Sequence, residues 1–258
     1  IDTLPTSQTS SEEIVRKMVG RSIEQFYVRS YNELSKVALQ VEGLTKRGVF
    51  TDVDFEVRYG EVLGFAGLVG AGRSEIMHAV FGADKCDSGK ILIDGTAVNI
   101  TCPQQAISFG MSMVPESRKE QGLVLINSVG FNIALANVER LKGWLFLSDR
   151  KRHSLAWRYI ERMRIKTRSE AQAVFELSGG NQQKVLLGKW LANQPKILIL
   201  DEPFNGLDKD GVKEMREYLL SYKEQGKTIL ICSHSAEDIS VLCDTVHEMD
   251  KGVIEGVR

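Results

Sequence analysis

Long apolar runs, prolines, net charge and paired cysteines are all scarce in this 258-residue sequence. No stretch approaches the roughly 18 consecutive apolar residues a membrane span needs, so no spanning helix is expected. Only 5 prolines, beside 43% hydrophobic and 26% charged residues, exclude collagen-like and disordered classes. Lys+Arg 33 against Asp+Glu 34 leaves a net charge of -1, so no overall field draws in nucleic acid or a lipid surface. The four cysteines, Cys86, Cys102, Cys232 and Cys243, form no C-x-x-C pair, and no histidine flanks them at zinc-ligand spacing. They read as small core residues in a reducing compartment. The start, Ile1-Asp2-Thr3, lacks a basic segment followed by an apolar one, which argues against a secretory signal, and the missing Met suggests a piece of something longer.

Two kinds of strand pattern follow residue 36. Val37, Leu39 and Val41 alternate with Ala38 and Gln40, and Val53, Phe55 and Val57 with Asp54 and Glu56. Ile91 and Ile93 lead through Asp94-Gly95 to Val98 and Ile100, a hairpin signal. These predict a partly antiparallel sheet. Residues 62–68, 197–200 and 228–232 are instead continuous apolar runs, which suit central parallel strands covered on both faces. Residues 139–170 are helix-like and basic, and are read as a solvated helical face. Ahead of all this, Ser11 can cap a short helix from Glu12 to Gly20.

Four segments carry chemistry. Gly67-Leu68-Val69-Gly70-Ala71-Gly72-Arg73-Ser74 matches the phosphate loop G-x-x-x-x-G-K-[ST], with arginine for lysine. Its glycines let backbone N–H groups curl around an anion at a helix start, predicted from Glu75 to Phe81, and Ser74 would face Mg²⁺. The run 197–200 ends in Asp201-Glu202, one acid suited to Mg²⁺ and one to deprotonating water. Leu177-Ser178-Gly179-Gly180-Asn181-Gln182-Gln183-Lys184 opens a helix running to about Asn193 with bare N–H groups, a second anion site. The run 228–232 ends at Ser233-His234, which puts an imidazole at a strand end.

Over residues 37–258 the sequence resembles an ATP-binding-cassette (ABC) ATPase, with LSGGNQQK as its signature motif. The resemblance implies an α/β fold: a P-loop NTPase with a mixed central sheet, an antiparallel β subdomain and a helical lobe inserted at about 117–177. It implies a head-to-tail pair of ATPase halves sandwiching ATP. Gly67, Gly70, Ala71, Gly72, Arg73, Ser74 and Glu75 would hold phosphates, with Ser74, Glu116 and Asp201 facing Mg²⁺. Glu202 would be the general base and His234 the γ-phosphate sensor. Ser178, Gly179, Gly180 and Gln182 would touch the nucleotide of the partner half, and Asp208 would lie in the loop crossing that interface.

GLVGAGRSE at 67–75, PESRKEQG at 115–122 and LSGGNQQKV at 177–185 look most like the second half of tandem sugar-import ATPases. Residues 1–36 would then be the tail helix and linker of a preceding half. The implied partners are that first half, transmembrane permease subunits on the inner face of the cell membrane and, indirectly, a periplasmic or extracellular sugar-binding protein, with no nucleic acid. A nucleoside importer, a non-hydrolytic scaffold half and a soluble cassette ATPase acting on ribosomes or DNA are the alternatives. Three departures bear on the site. Arg73 replaces lysine, Glu116 stands where glutamine is usual, and no adenine-stacking aromatic is found, since Phe50 reads as the start of the second strand. A weakened own site beside an intact signature helix is the resulting expectation.

Overall fold

The computed structural model describes residues 36–143 and 146–257. The expected helix from Glu12 to Gly20 and the rest of 1–35 lie outside the described residues. Strands β1 (Val37–Lys46) and β2 (Phe50–Arg58) pair antiparallel, and β1 also pairs with β4 (Ser88–Ile93), which turns back into β5 (Thr96–Val98). The turn between the last two is the Asp94-Gly95 signal realised, with φ of 52° and 76°, the values a two-residue hairpin with right-handed strand twist demands. This four-stranded sheet has the order β2-β1-β4-β5.

The second sheet has six strands. They are β3 (Val62–Gly67), β6 (Met111–Val114), β7 (Ile197–Asp201), β8 (Thr228–Ser233), β9 (Thr245–Asp250) and β10 (Val253–Val257), in the order β10-β9-β3-β8-β7-β6. Pairing is parallel from β9 to β6, and β10 adds an antiparallel edge. The continuous apolar runs are the middle of this sheet, where β7 and β8 are buried at every residue, as strands covered on both faces must be.

Helix α1 (Arg73–Val80) lies between the two sheets. Its Ile76, Met77 and Val80 share one core with Leu39, Phe55 and Val57 of the first sheet and Phe65, Ile199 and Leu230 of the second. Phe50 opens β2 and is buried in that core. A short α2 (Pro103–Ser108) precedes β6. Between β6 and β7 the chain is helical: a turn at Arg118–Gly122, α3 (Val129–Leu135), α4 (Val138–Leu141), α5 (Asp149–Arg162) and α6 (Gly179–Leu191). The basic stretch 139–170, read as helix-like, is helical only in α4 and in α5, which are parted where Lys142 bridges to Leu147; residues 163–170, with Arg164, Lys166 and Arg168, are not helical, and its Lys and Arg side chains are mostly solvent-exposed. Helices α7 (Lys209–Glu224) and α8 (Ala236–Leu242) cover the second sheet on the way to β8 and β9. Among the described residues no helix is long and apolar enough to cross a membrane, and the four cysteines are unpaired.

Among the buried titratable groups, one packs against core aromatics. His247 on β9 stacks on Phe65 at 5.5 Å, with its Nδ1 buried and without a hydrogen-bond partner. Burial holds its pKa below the usual 6.5. The unfolded chain therefore binds a proton that the folded one refuses, and this source of stability is lost as pH falls below about 6.5. His247→Phe is expected to flatten the acid limb of stability. Urea midpoints at pH 5 and 7.5 check this, and an unchanged difference between them would refute it.

Candidate functional site

The loop between β3 and α1 carries Leu68, Val69 and Gly70 at the surface, while Ala71, Gly72 and Arg73 are buried. Helix α1 starts two residues earlier than the sequence suggests, at Arg73, because Gly72 takes φ 93° as its N-cap and its carbonyl accepts from Ile76 N at 3.1 Å. The loop is held from behind by the turn joining β9 to β10. Gly252 N donates to the Ala71 carbonyl at 2.9 Å, and Thr51 N donates to the Gly252 carbonyl at 3.1 Å. A Cβ on Gly252 would stand 2.2 Å from the Val49 carbonyl oxygen, so only glycine fits this buttress.

Beside the loop, β7 and β8 deliver three side chains. Asp201, fully buried, accepts from the Ser74 hydroxyl at 2.8 Å through Oδ1, while Oδ2 has no hydrogen-bond partner. Burial is the main cause that pushes its pKa up to about 7, helped by the nearby charges of Glu116 and Glu202 and opposed by the Ser74 hydrogen bond. Glu202 follows with φ 45°, a left-handed conformation that costs a non-glycine residue of order 1 kcal/mol and turns its carboxylate onto the loop. There Glu202 Oε1 lies 3.0 Å from Arg73 Nη2, both side chains being nearly fully buried. Oε2 meets His234 Nδ1 at 2.9 Å.

The fold thus brings Arg73, Ser74, Asp201, Glu202 and His234 into one cluster. Its unused hydrogen-bonding groups are informative. Arg73 Nη1 is a buried donor without a partner, and Glu202 Oε1, though close to Arg73, lacks an aligned donor. Such groups call for an anion near Arg73 and a donor near Glu202. The oxygen set of Ser74 and Asp201 Oδ2 fits Mg²⁺, a hard cation that takes one or two protein oxygens and fills its remaining positions with water or phosphate. Among the described residues no group of three or more His, Cys, Asp or Glu is placed to hold a metal ion. Glu116 is exposed just past β6, and its Oε1 accepts from Asn205 Nδ2 at 3.3 Å.

The signature segment lies elsewhere. Gly179 packs toward Arg118 and Gly206, and Gly180 toward Leu207, rather than the phosphate loop. Ser178 is the N-cap of α6, but its hydroxyl accepts from Asn181 Nδ2 at 2.9 Å and caps no backbone N–H. The first-turn N–H groups are therefore uncapped by any side chain, as an anion site requires. Gln182 points inward: its amide donates at 3.2 Å to the carbonyls of both Val174 and Leu177, and its oxygen faces Arg118. It holds the segment's shape. Glu75 is half-buried in the first turn of α1, where its charge suits the helix N-terminus. Sequence reasoning missed Gly252 and Arg118, for which no phosphate-site pattern exists. It also missed the direct contact of Arg73 with Glu202.

A family model described as "ABC transporter" matches residues 50–205. Among curated proteins, the chain is 42% identical over 257 residues to a ribose import ATP-binding protein of Geobacillus kaustophilus, covering 100% of this chain and 52% of that protein. It is 39% identical over 252 residues to a putative ribose/galactose/methyl galactoside import ATP-binding protein of Rhizobium etli, covering 98% and 48%. The chain spans about half the length of the curated relatives it matches. Among solved structures, a dimeric bacterial ABC transporter cassette superposes with a TM-score of 0.75 at 21% identity, over 85% of this chain and 97% of that one. A cassette in its ADP conformation does so with 0.74 at 20% identity, over 86% and 91%. The backbone likeness establishes the P-loop cassette fold, and the family match spans both its phosphate loop and its Asp-Glu strand: the chain belongs to the ABC transporter family.

Proposed function

We propose that this chain is an ATP-binding and ATP-hydrolysing half of a sugar importer's motor, corresponding to the second half of a tandem ATP-binding protein. The carrying observation is Glu202, held between Arg73 and His234 beside a phosphate loop whose buried arginine has a spare donor. Nucleotide phosphates would take the N–H groups of the loop and Arg73 Nη1. Glu202 Oε1, which lacks an aligned donor, would accept the hydrogen of an attacking water, and His234 would steady the other carboxylate oxygen. Mg²⁺, when bound at Ser74 and Asp201, would neutralise phosphate charge.

The partners follow from the same reading. Residues 1–36 would link this half to a preceding ATPase half, whose nucleotide the uncapped start of α6 would meet. Ile126 and Phe175, 80% and 60% exposed, sit where 125–127 pairs with 173–175 and offer apolar surface suited to a permease on the cytoplasmic side of the membrane. The relatives' names point to ribose or galactose as cargo. A nucleoside is the other choice, because importers for nucleosides share the LSGGNQQK style of signature.

The own site is proposed to be the weaker of the pair. Arg73 is planar and already committed to Glu202, Glu116 adds negative charge, and buried Phe50 offers adenine no stacking face. A half that binds nucleotide without hydrolysing it is a second reading, favoured by that same Arg73–Glu202 pair. Isothermal titration of the chain with Mg-ATP is the test. Micromolar binding is expected. No detectable heat would sink the nucleotide pocket and leave only the signature segment in service of the partner.

A further inference from the structure

Part of the basic stretch in the helical lobe folds into more than a solvated surface. On α5, Arg150, Ser154 and Arg158 fall four residues apart, as do Lys151 and Leu155 beside them, so the five share one face of the helix. Together with α4 and the residues just after α6, that face borders a cleft of about 600 Å³. Leu141 and Ala192, both buried, and the half-buried Leu155 give the cleft an apolar floor. Arg140, Arg150, Lys151 and Arg158, all exposed, stand around its rim. No residue of the phosphate loop, the Asp-Glu strand or the signature segment lines it.

The charge of the rim is unbalanced. Among the described residues no acid lines the cleft, and the acids beside its arginines are used elsewhere, Glu139 pairing with Lys142 and Asp149 with Arg152. Two of the cations are tied to backbone carbonyls. Arg140 Nη1 donates to that of Ala192 at 3.3 Å, and Lys151 Nζ to that of Lys142 at 3.1 Å. Arg150 and Arg158 have no ion-pair or hydrogen-bond partner among the described residues, and neither do the side chains of Ser154 and Gln194, which also line the cleft. Ser148 caps α5 on the same side, so the positive end of that helix adds to the field. Like charges around one cavity repel one another, and an anion placed among them turns that repulsion into attraction.

We propose that this cleft binds a phosphate ester of a small polyhydroxylated molecule, apart from the phosphate loop. The two spare guanidiniums are planar forks, each able to give a phosphate two parallel hydrogen bonds. Ser154 and Gln194 offer donors and acceptors to hydroxyl groups, the leucines take the carbon skeleton, and the volume is that of a small-molecule site. A nucleotide fits less well, because no aromatic side chain among the described residues lines the cleft to stack on a base. The same chemistry exists free, as in a sugar phosphate, and in a lipid headgroup, as in phosphatidylglycerol.

Isothermal titration of the whole chain with ribose 5-phosphate tests this, beside the double variant Arg150→Gln with Arg158→Gln. Both side chains are exposed, so the variant is expected to keep the wild-type urea midpoint. Ribose 5-phosphate is expected to bind the wild type, and to bind the variant at least about tenfold more weakly, the usual loss for a charged hydrogen bond. Equal heat from both proteins belongs to the phosphate loop and overturns the proposal. Inorganic phosphate is expected to bind more weakly than the ester, and equal affinity overturns the part given to Ser154 and Gln194. Sedimentation with phosphatidylglycerol vesicles, against phosphatidylcholine alone, distinguishes the source. If the wild type ignores ribose 5-phosphate but follows the phosphatidylglycerol vesicles, and the double variant does not, the cleft takes a lipid headgroup. Binding of neither probe, or vesicle binding that survives in the variant, overturns the site.

Discussion

Glu202→Gln is expected to lower ATP turnover at this half's site by about 10²- to 10⁴-fold, the range a positioned general base contributes. Glutamine keeps the size of the side chain and an oxygen that can face Arg73 and His234, so the cluster should stay assembled and Mg-ATP should still bind. What is lost is the second anionic oxygen and with it the capacity to take up a proton. The measurement is single-turnover hydrolysis in the complete ATP-binding protein with its partner half present. Turnover within twofold of wild type would remove Glu202 from catalysis and promote the nucleotide-binding scaffold. A loss of both turnover and nucleotide affinity would instead mean that Glu202 builds the pocket.

The largest effect on stability is expected from Arg73→Met. Arg73 and Glu202 are 5% and 7% exposed, so their pairing is screened little by water. Removing the cation leaves a buried carboxylate facing only His234, and breaking a buried pair from one side costs about 3 to 5 kcal/mol. The double variant Arg73→Met with Glu202→Gln has no uncompensated charge and is expected to recover most of that loss. A cycle of chemical denaturation on the four proteins measures the interaction. Additive losses would mean that the 3.0 Å approach contributes nothing. Arg73→Lys is expected to keep most of the stability and to raise turnover little, since Glu116 and the missing aromatic surface are untouched by it. A fast site after that single change would overturn the combined-defect reading.

Much of this was legible in the residues. The continuous runs at 62–68, 197–200 and 228–232 had to be covered on both faces, which makes them central strands, and the acids, glycines or imidazole ending each run mark one edge of the sheet. Alternation at 37–41 and 53–57 marked strands of the four-stranded sheet, and Phe50 proved a strand residue. What was hidden depends on contacts far apart in sequence. The seat of Arg118 needs Gly179 and Gly206, which no local pattern joins to it. Gln182 belongs by position to the signature, but its amide is consumed inside the lobe by Val174 and Leu177. The left-handed backbone of Glu202 is also illegible, because glutamate seldom adopts it and only the surrounding sheet imposes it. In 139–170 the helical pattern ran across a real break, as the Lys142 to Leu147 bridge interrupts what the charges make look continuous.

The position of β3 in its sheet also sets when this protein becomes functional during synthesis. Its two neighbours, β8 and β9, come from 228–233 and 245–250, and the Gly252 turn behind the phosphate loop follows them. A nascent chain that has already emitted its phosphate loop therefore has nothing to pair β3 with until 228–233 leaves the ribosome, and no second partner until 245–250 follows. The four-stranded sheet, built from 37–98, can close early, while the apolar β3 waits with both edges open. Such long-range pairing folds slowly and leaves an exposed strand prone to wrong partners. Nucleotide can find its site only once the chain through Gly252 has emerged, so shorter ribosome-held chains should bind no ATP however complete their glycine loop.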